Sequence, residues 1–423
     1  MKVYLHTLGC KVNQCEAESI LADMIQNGHF KAKNVEEADI ILLSTCAVTN
    51  EAERKSRQIA RKLSLANPKA KLIICGCASQ KEPSQFLNLS EEESIIGTAG
   101  KSFLSRIEEK TCMKDLPEEF EEMPKAMPAR TRAYIKIQDG CSNFCSYCII
   151  PYLRGKSRSR NLDSIIKEIY EVSKFSSEIV LTGINITDFK INGQFGLLTL
   201  LEKIKDIPSR IRLGSLEQSI ISKEFLEKIV SMPNFCPHFH LSLQSGSESE
   251  LERMNRHYSP EEFLEKINLI RSYYPLAAIT TDLIVGFPEQ TEEEFLETKN
   301  FILKCKFYEM HIFPYSKRSG TKAESMKSVC SEDVKKRIME ITKIASKMKL
   351  DYQNSCINKE FDLLVEEING NIVSGKTENY LDAFCETNNA VHGQIIKVLA
   401  KQVLPNGMLC SEVKKWKIVY FVK

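Results

Sequence analysis

Three thiols stand four and then three residues apart in Cys141-Ser-Asn-Phe-Cys145-Ser-Tyr-Cys148, directly after a predicted strand at Arg132–Ile137. Thiolates at that spacing can converge on one small cluster. Four sulfurs would saturate a [4Fe–4S] cube or close a tetrahedral zinc site. Three leave one iron without a protein ligand, free to take a small molecule through its own amine and carboxylate. A zinc knuckle lacking a ligand and a set of buried free cysteines are the bland alternatives. The flanking Asp139-Gly140 and the interleaved Phe144 and Tyr147 favour the cluster.

A second trio is scattered: Cys10 in His6-Thr-Leu-Gly-Cys10, Cys46 in Ser44-Thr-Cys46 and Cys77 in Cys75-Gly-Cys77. Each falls just past the carboxyl end of a predicted strand, at Val3–His6, Asp39–Leu43 and Lys71–Ile74. Helices are predicted between them at Glu16–Gln26 and Glu51–Leu63. Strand alternating with helix implies a doubly wound parallel sheet, whose carboxyl edge is where ligands bind. Distant thiols can meet there and hold another cluster with an open iron. Three small buried hydrophobes are the alternative. Cys15 and Cys75 read as ordinary packing residues.

The elements that must position these thiols continue along the chain. From Thr111 to Arg130 the sequence turns acidic and proline-containing, which reads as a linker. A second alternation runs through strands at Arg132–Ile137, Ser177–Leu181, Ile211–Leu213, Phe239–Leu243, Ile279–Val285 and Glu309–Phe313, with helices at Leu162–Val172, Pro260–Tyr273 and Glu292–Cys305. Six βα units imply a partial (β/α)6 barrel. A lysine-rich helix, Ser331–Tyr352, closes it. Short strands at Phe361–Glu366, Asn371–Ser374, His392–Leu399, Gly407–Cys410 and Trp416–Val422 then read as a small all-β, OB-like module. The expected division is 1–112, a linker at 113–130, 131–352 and 353–423. Fifteen cysteines behind an opening MKVYLHTLGC, which lacks an export-type apolar stretch, point to metal in a reducing cytoplasm.

A net charge of +2 does not announce a nucleic-acid binder, so any such surface must be local. Arg154, Lys156, Arg158 and Arg160 put four cations in seven residues beside the first trio, a strip that could neutralise phosphates. A solvated loop is the alternative. The run from His311 to Thr321, with Tyr315 and Arg318, mixes aromatic and basic residues suited to stacking on a splayed base; core packing competes.

The C-x3-C-x2-C run resembles the radical S-adenosylmethionine (radical SAM) enzymes. TLGCKVNQ (Thr7–Gln14), STCAVTNEAERKSRQ (Ser44–Gln58), CGCASQ (Cys75–Gln80) and TRAYIKIQDGCSNFCSYCIIPYLRGKSRSR (Thr131–Arg160) resemble the motifs of the methylthiotransferases within that class. The resemblance covers essentially the whole chain. It implies two [4Fe–4S] clusters, on Cys10/Cys46/Cys77 and Cys141/Cys145/Cys148, and S-adenosylmethionine. It also implies a C-terminal TRAM module, a tRNA anticodon loop as partner, and an electron donor such as flavodoxin or ferredoxin. GCKVNQ and KIQDGCSNFCSYCIIPYLRG resemble the branch acting on threonylcarbamoyladenosine at tRNA position 37. Isopentenyladenosine and ribosomal protein S12 are the alternative substrates, and a non-enzymatic iron–sulfur RNA-binding protein is the alternative class. For the cofactor the resemblance points to residues at successive barrel-strand ends: Thr182, Gly183 and Asn185; Ser215 and Glu217; Gln244 and Ser245; Asp282 and Gly286. The chain departs from the family's usual FPGET and LPLQSG at Glu289 and Ser242.

Overall fold

A computed structural model describes residues 1–91, 94–103, 116–123 and 131–413. The N-terminal strands Lys2–Thr7, Phe30–Lys31, Ile40–Thr45 and Lys71–Gly76 form one parallel sheet in the order Phe30–Lys31, Lys2–Thr7, Ile40–Thr45, Lys71–Gly76. Ile40–Thr45 is buried along its whole length, as a central parallel strand covered on both faces must be. The helix Lys11–Gln26 starts five residues earlier than its sequence signal, its first turn held by Asn13, whose side-chain amide donates to the Leu8 (3.1 Å) and Thr45 (2.7 Å) carbonyls. Thr49 caps Asn50–Ala66 by accepting from the Ala52 amide at 3.1 Å.

The strands of the central barrel pair in parallel. Arg210–Leu213, Glu178–Thr182 and Arg132–Lys136 form one run, and Ser215–Leu216, His238–Gln244, Ala278–Val285 and Glu309–Pro314 the other. Gly214 separates two successive strands, one on each sheet, and a parallel bridge between Ile211 and Phe235 joins the halves. The helices Leu162–Val172, Pro260–Tyr273 and Glu292–Cys305 lie at their expected bounds. Capping boxes at Ser259/Glu262 and Thr291/Glu294 fix two of the starts. One apolar cluster, including Ile135, Leu181, Leu213, Phe239 and Ile279, fills the space between strands and helices.

After the helix Ser331–Ser355, five strands (Glu360–Asn369, Ile372–Thr377, Asp382–Glu386, Ile395–Leu404 and Gly407–Glu412) close a small barrel. Asp382–Glu386 is a strand the sequence reading missed, and the strand expected at Trp416–Val422 lies outside the described residues. This module seals the amino-terminal mouth of the central barrel. Arg212 donates to the carbonyls of Glu378 (2.9 Å) and Thr377 (3.1 Å), and Arg210 to those of Asp362 (2.7 Å) and Lys376 (2.8 Å). Glu178 pairs with both arginines, and Tyr380 stacks flat on His238 with centroids 4.1 Å apart. The carboxyl-terminal mouth is left for the N-terminal domain.

No helix among the described residues is long and apolar enough to cross a membrane.

Candidate active site

The scattered trio meets at the carboxyl edge of its sheet. Cys10 is the N-cap of Lys11–Gln26, Cys46 directly follows Ile40–Thr45, and Cys77 opens a short helix after Lys71–Gly76. A Cβ placed on Gly9 would sit 3.0 Å from the Cys46 Cβ and 3.2 Å from its sulfur, so the Cys10 loop lies directly on Cys46. Burial pushes the Cys46 thiol up to about 11, with Cys77 and Cys10 adding to it. Cys15 and Cys75 are interior packing residues: the Cys15 thiol donates to the Tyr134 carbonyl at 3.3 Å, and burial raises it to about 12.

The local trio is held by a loop. The Cys141 amide donates to the Gly155 carbonyl (3.1 Å), the Cys148 amide to the Cys145 carbonyl (3.0 Å) and the Ser146 amide to the Met254 carbonyl (3.0 Å). Asn255 reaches back with its amide to the Asn143 and Phe144 carbonyls, both at 3.1 Å. Arg256 Nη1 lies 3.5 Å from the Cys145 sulfur, while its Nη2 pairs with Glu217. Burial raises Cys141 to about 11 and Cys148 to about 12, so any metal taken up there must displace protons.

Neither trio brings all three sulfurs within 4.8 Å of one another among the described residues. A single tetrahedral zinc, with Zn–S near 2.3 Å, would need sulfurs about 3.8 Å apart. The three-thiol donor set of each trio fits a cube with one open iron.

The two carboxyl edges face each other. Arg154 is wholly buried between them, donating to Glu16 Oε1 (3.0 Å), Asp139 Oδ1 (2.9 Å) and Asn13 Oδ1 (2.6 Å). Lys101 and Lys136 also close on Glu16. Across the mouth, Arg318 pairs with Glu53 and with Asn50 Oδ1 (2.6 Å), and Ser316 accepts from the Asn50 amide (3.0 Å). The acidic stretch expected as a linker joins this contact over its described residues 116–123. Glu121 accepts from Ser102, Glu122 from Arg160, and Lys136 lies 4.9 Å over the Phe120 ring.

A cavity of about 230 Å³ opens between the edges. Val48 and Thr49, just after Cys46, form one wall; Tyr147 and Cys148 another; Gln244, Asp282 and Tyr315 a third. A second cavity, of about 360 Å³, lies on the other side of the cysteine loop against Asn143, Asn185, Glu217 and Arg256.

Several expected site residues are elsewhere. Arg154, Arg158 and Arg160 are not a phosphate-binding strip, because each is buried among acidic or carbonyl partners. Lys156 alone of the four is exposed. Arg318 is likewise spent on Glu53 rather than open to RNA. Ser245 donates its hydroxyl to the buried Glu250 beneath the barrel loop, away from both cavities. Gly286 faces the closing helix, where a Cβ would collide with Val334. Thr182 is buried between strands, Gly183 packs on Gln138, and Ser215 lies half-buried in register with His240. Asn185, Glu217, Gln244, Asp282 and Tyr315 do line the cavities. Arg256 and Asn255 were missed; their signal is the Met254-Asn-Arg-His-Tyr258 run, whose Asn255 adopts a left-handed φ of 58°.

Residues 135–302 match the Radical SAM superfamily, and residues 2–97 match a family described as Uncharacterized protein family UPF0004. The chain is 35% identical to the threonylcarbamoyladenosine tRNA methylthiotransferase MtaB of Bacillus subtilis, over 94% of this chain and 93% of that protein. It is 34% identical to the tRNA-2-methylthio-N(6)-dimethylallyladenosine synthase of Dictyoglomus thermophilum, over 94% and 95%. A solved structure of the radical S-adenosylmethionine methyltransferase TsrM from Kitasatospora setae superposes with a TM-score of 0.55 at 11% identity, covering 88% of this chain and 80% of that one, a likeness of fold. Fold and triad define a radical SAM enzyme. Within that class, the chain belongs to the methylthiotransferase family.

Proposed function

We propose that this enzyme converts N6-threonylcarbamoyladenosine at tRNA position 37 to its 2-methylthio derivative. The observation that carries the reading is a cavity lined on one side by Cys148 of the local trio and on the other by Val48 and Thr49, which follow Cys46 of the scattered trio. The sequence match to MtaB proteins supports the choice of substrate. A ring C–H has no useful acidity, so the chemistry needs a radical. When bound, the two [4Fe–4S] clusters and S-adenosylmethionine would supply a radical able to take hydrogen from a ring carbon, and a sulfur to replace it.

The protein's own residues hold, orient and exclude. In this reading Cys141, Cys145 and Cys148 hold one cluster and Cys10, Cys46 and Cys77 the other. The Arg256 guanidinium beside Cys145 offers its sulfur a donor, which raises a cluster's potential. Asn185 and Glu217 offer polar contacts to a nucleoside cofactor in the cavity they line. Phe313, Pro314 and Tyr315 form an apolar rim that excludes water. Lys156 and Tyr315 remain as contacts to the anticodon loop.

The same reading divides the chain into a cluster domain (1–112), a connecting segment (113–130), a radical SAM domain (131–352) and a TRAM-type RNA module (353–423). It places the enzyme in the cytoplasm, with a flavodoxin or ferredoxin as electron donor. The test is to offer anaerobically reconstituted enzyme anticodon stem-loops carrying threonylcarbamoyl- or isopentenyladenosine and follow the methylthio mass increase. Modification of the threonylcarbamoyl substrate is expected; preference for the isopentenyl one would overturn the substrate.

A further inference from the structure

Five polar side chains run in file along the inside of the central barrel, where a stable core would ordinarily be apolar. His238 Nε2 lies 3.0 Å from the Thr280 hydroxyl, which lies 2.9 Å from His240 Nδ1. His240 Nε2 lies 3.2 Å from Asp282 Oδ2, and His311 Nδ1 lies 3.1 Å from Asp282 Oδ1. Strand register makes the file: His240 pairs with Thr280, and Asp282 with His311. It begins on the buried floor, where His238 stacks on Tyr380, and reaches at Asp282 the cavity lined by Thr49 and Cys148. The side chains become more exposed along the way, from 12% at His240 through 28% at Asp282 to 55% at His311.

The open end has unused capacity. Each Asp282 oxygen takes one imidazole, yet an ionised carboxylate has about four acceptor positions. The second ring nitrogen of His311 has no protein partner among the described residues. Asp282 lines the cavity wall and His311 stands beside it, so the pair offers an acceptor and a donor side by side. Burial opposes ionisation of Asp282, but its two histidines hold the carboxyl well below its ordinary range, and its hydrogen bond raises His311. Lys11, beginning the helix after Cys10, lies near enough to act on both His238 and His311.

We propose that Asp282 and His311, braced by His240 and Thr280, form the subsite for the polar side chain of the modified base, an acyl urea ending in a hydroxyl and a carboxylate. Asp282 accepts from its N–H or O–H groups, and His311, its Nδ1 committed to Asp282, donates from Nε2 to its carboxylate as the imidazolium that the Asp282 pairing favours. The proposal rests on the substrate reading above and moves Asp282 from the cofactor to the substrate. An isopentenyl group would cover the spare acceptor positions of Asp282 and the second ring nitrogen of His311 without pairing them, a mismatch that sites built for a polar group reject.

The experiment measures binding of anticodon stem-loops bearing threonylcarbamoyladenosine, isopentenyladenosine or plain adenosine to holoenzyme carrying both clusters. His311→Phe and Asp282→Asn should each weaken the threonylcarbamoyl complex roughly 10- to 100-fold, the worth of a hydrogen bond to a charged group, and leave plain adenosine unchanged. His311→Gln, which keeps a donor, should lose less. Equal losses on all three stem-loops would reduce the file to a structural role and overturn the subsite. One equivalent of zinc bound by wild type and lost in Asp282→Asn would overturn it in favour of a metal site. Wild-type preference for isopentenyladenosine would sink the substrate reading itself, whereas threonylcarbamoyl preference unchanged by His311→Phe would sink only the subsite.

Discussion

The two cysteine trios solve one problem in opposite ways. Cys141, Cys145 and Cys148 come from eight consecutive residues, and the loop's own hydrogen bonds with Gly155, Met254 and Asn255 set their geometry. Cys10, Cys46 and Cys77 come from three strand ends, so their geometry is set by the register of a whole sheet and by what presses on its carboxyl edge. The local trio is thus a property of a loop, and the distant trio a property of a domain and its neighbour. Arg154 is the joint between them, lying beside Asp139 of the first site and Asn13 and Glu16 of the second.

Breaking that joint should separate the two sites most. Removing one partner of a buried charge network costs about 3–5 kcal/mol, because the remaining charges are left uncompensated. Arg154→Ala should therefore lower the thermal midpoint and lose iron from the distant trio before the local one. Lys156→Ala, two residues away and exposed, should do neither. Metal analysis along a chelator titration, with both variants side by side, checks the order of loss.

A smaller effect is expected at the far end of the barrel. Burial alone would raise the Glu178 carboxyl, but Arg212 and Arg210 overcome it and hold it at about 2, below its ordinary 4.5. Its folded-state value is depressed, so its contribution is present above about 4.5 and lost as pH falls toward about 2. Glu178→Gln should be less stable at neutral pH and show a shallower acid limb in that window. Cluster loading at both trios should be unchanged at pH 7, since this pair anchors the C-terminal barrel and not the cysteines. Acid melts followed by circular dichroism test it.

The sequence revealed much of this where the determinants are local. The helices Pro260–Tyr273 and Glu292–Cys305 carry their caps in adjacent residues, so their ends were legible. The strand ends bearing Cys46 and Cys77 were legible because buried parallel strands read as apolar runs. The basic strip misled because what buries Arg154 is Glu16, far away in sequence, and no count of charges reveals a partner across an interface. Gly286 misled likewise: its φ of 72° marks a special backbone, but what lies against it is Val334 on the closing helix. Asp382–Glu386 escaped because a five-residue strand with acidic ends gives little pattern to see. His311 was legible as aromatic-basic sequence; its partnership with Asp282 required the register of two strands.

The measurement that bears most directly on the account is iron content and product analysis of anaerobically reconstituted wild type and Cys46→Ala, with Cys15→Ala as the packing control. Wild type and Cys15→Ala should hold about eight irons, as two cubes of four. Cys46→Ala should hold about half as many, still cleave S-adenosylmethionine to 5′-deoxyadenosine, and add no methylthio group to tRNA. A Cys46→Ala enzyme that keeps its full iron and methylthiolates tRNA would contradict the two-cluster account at its centre.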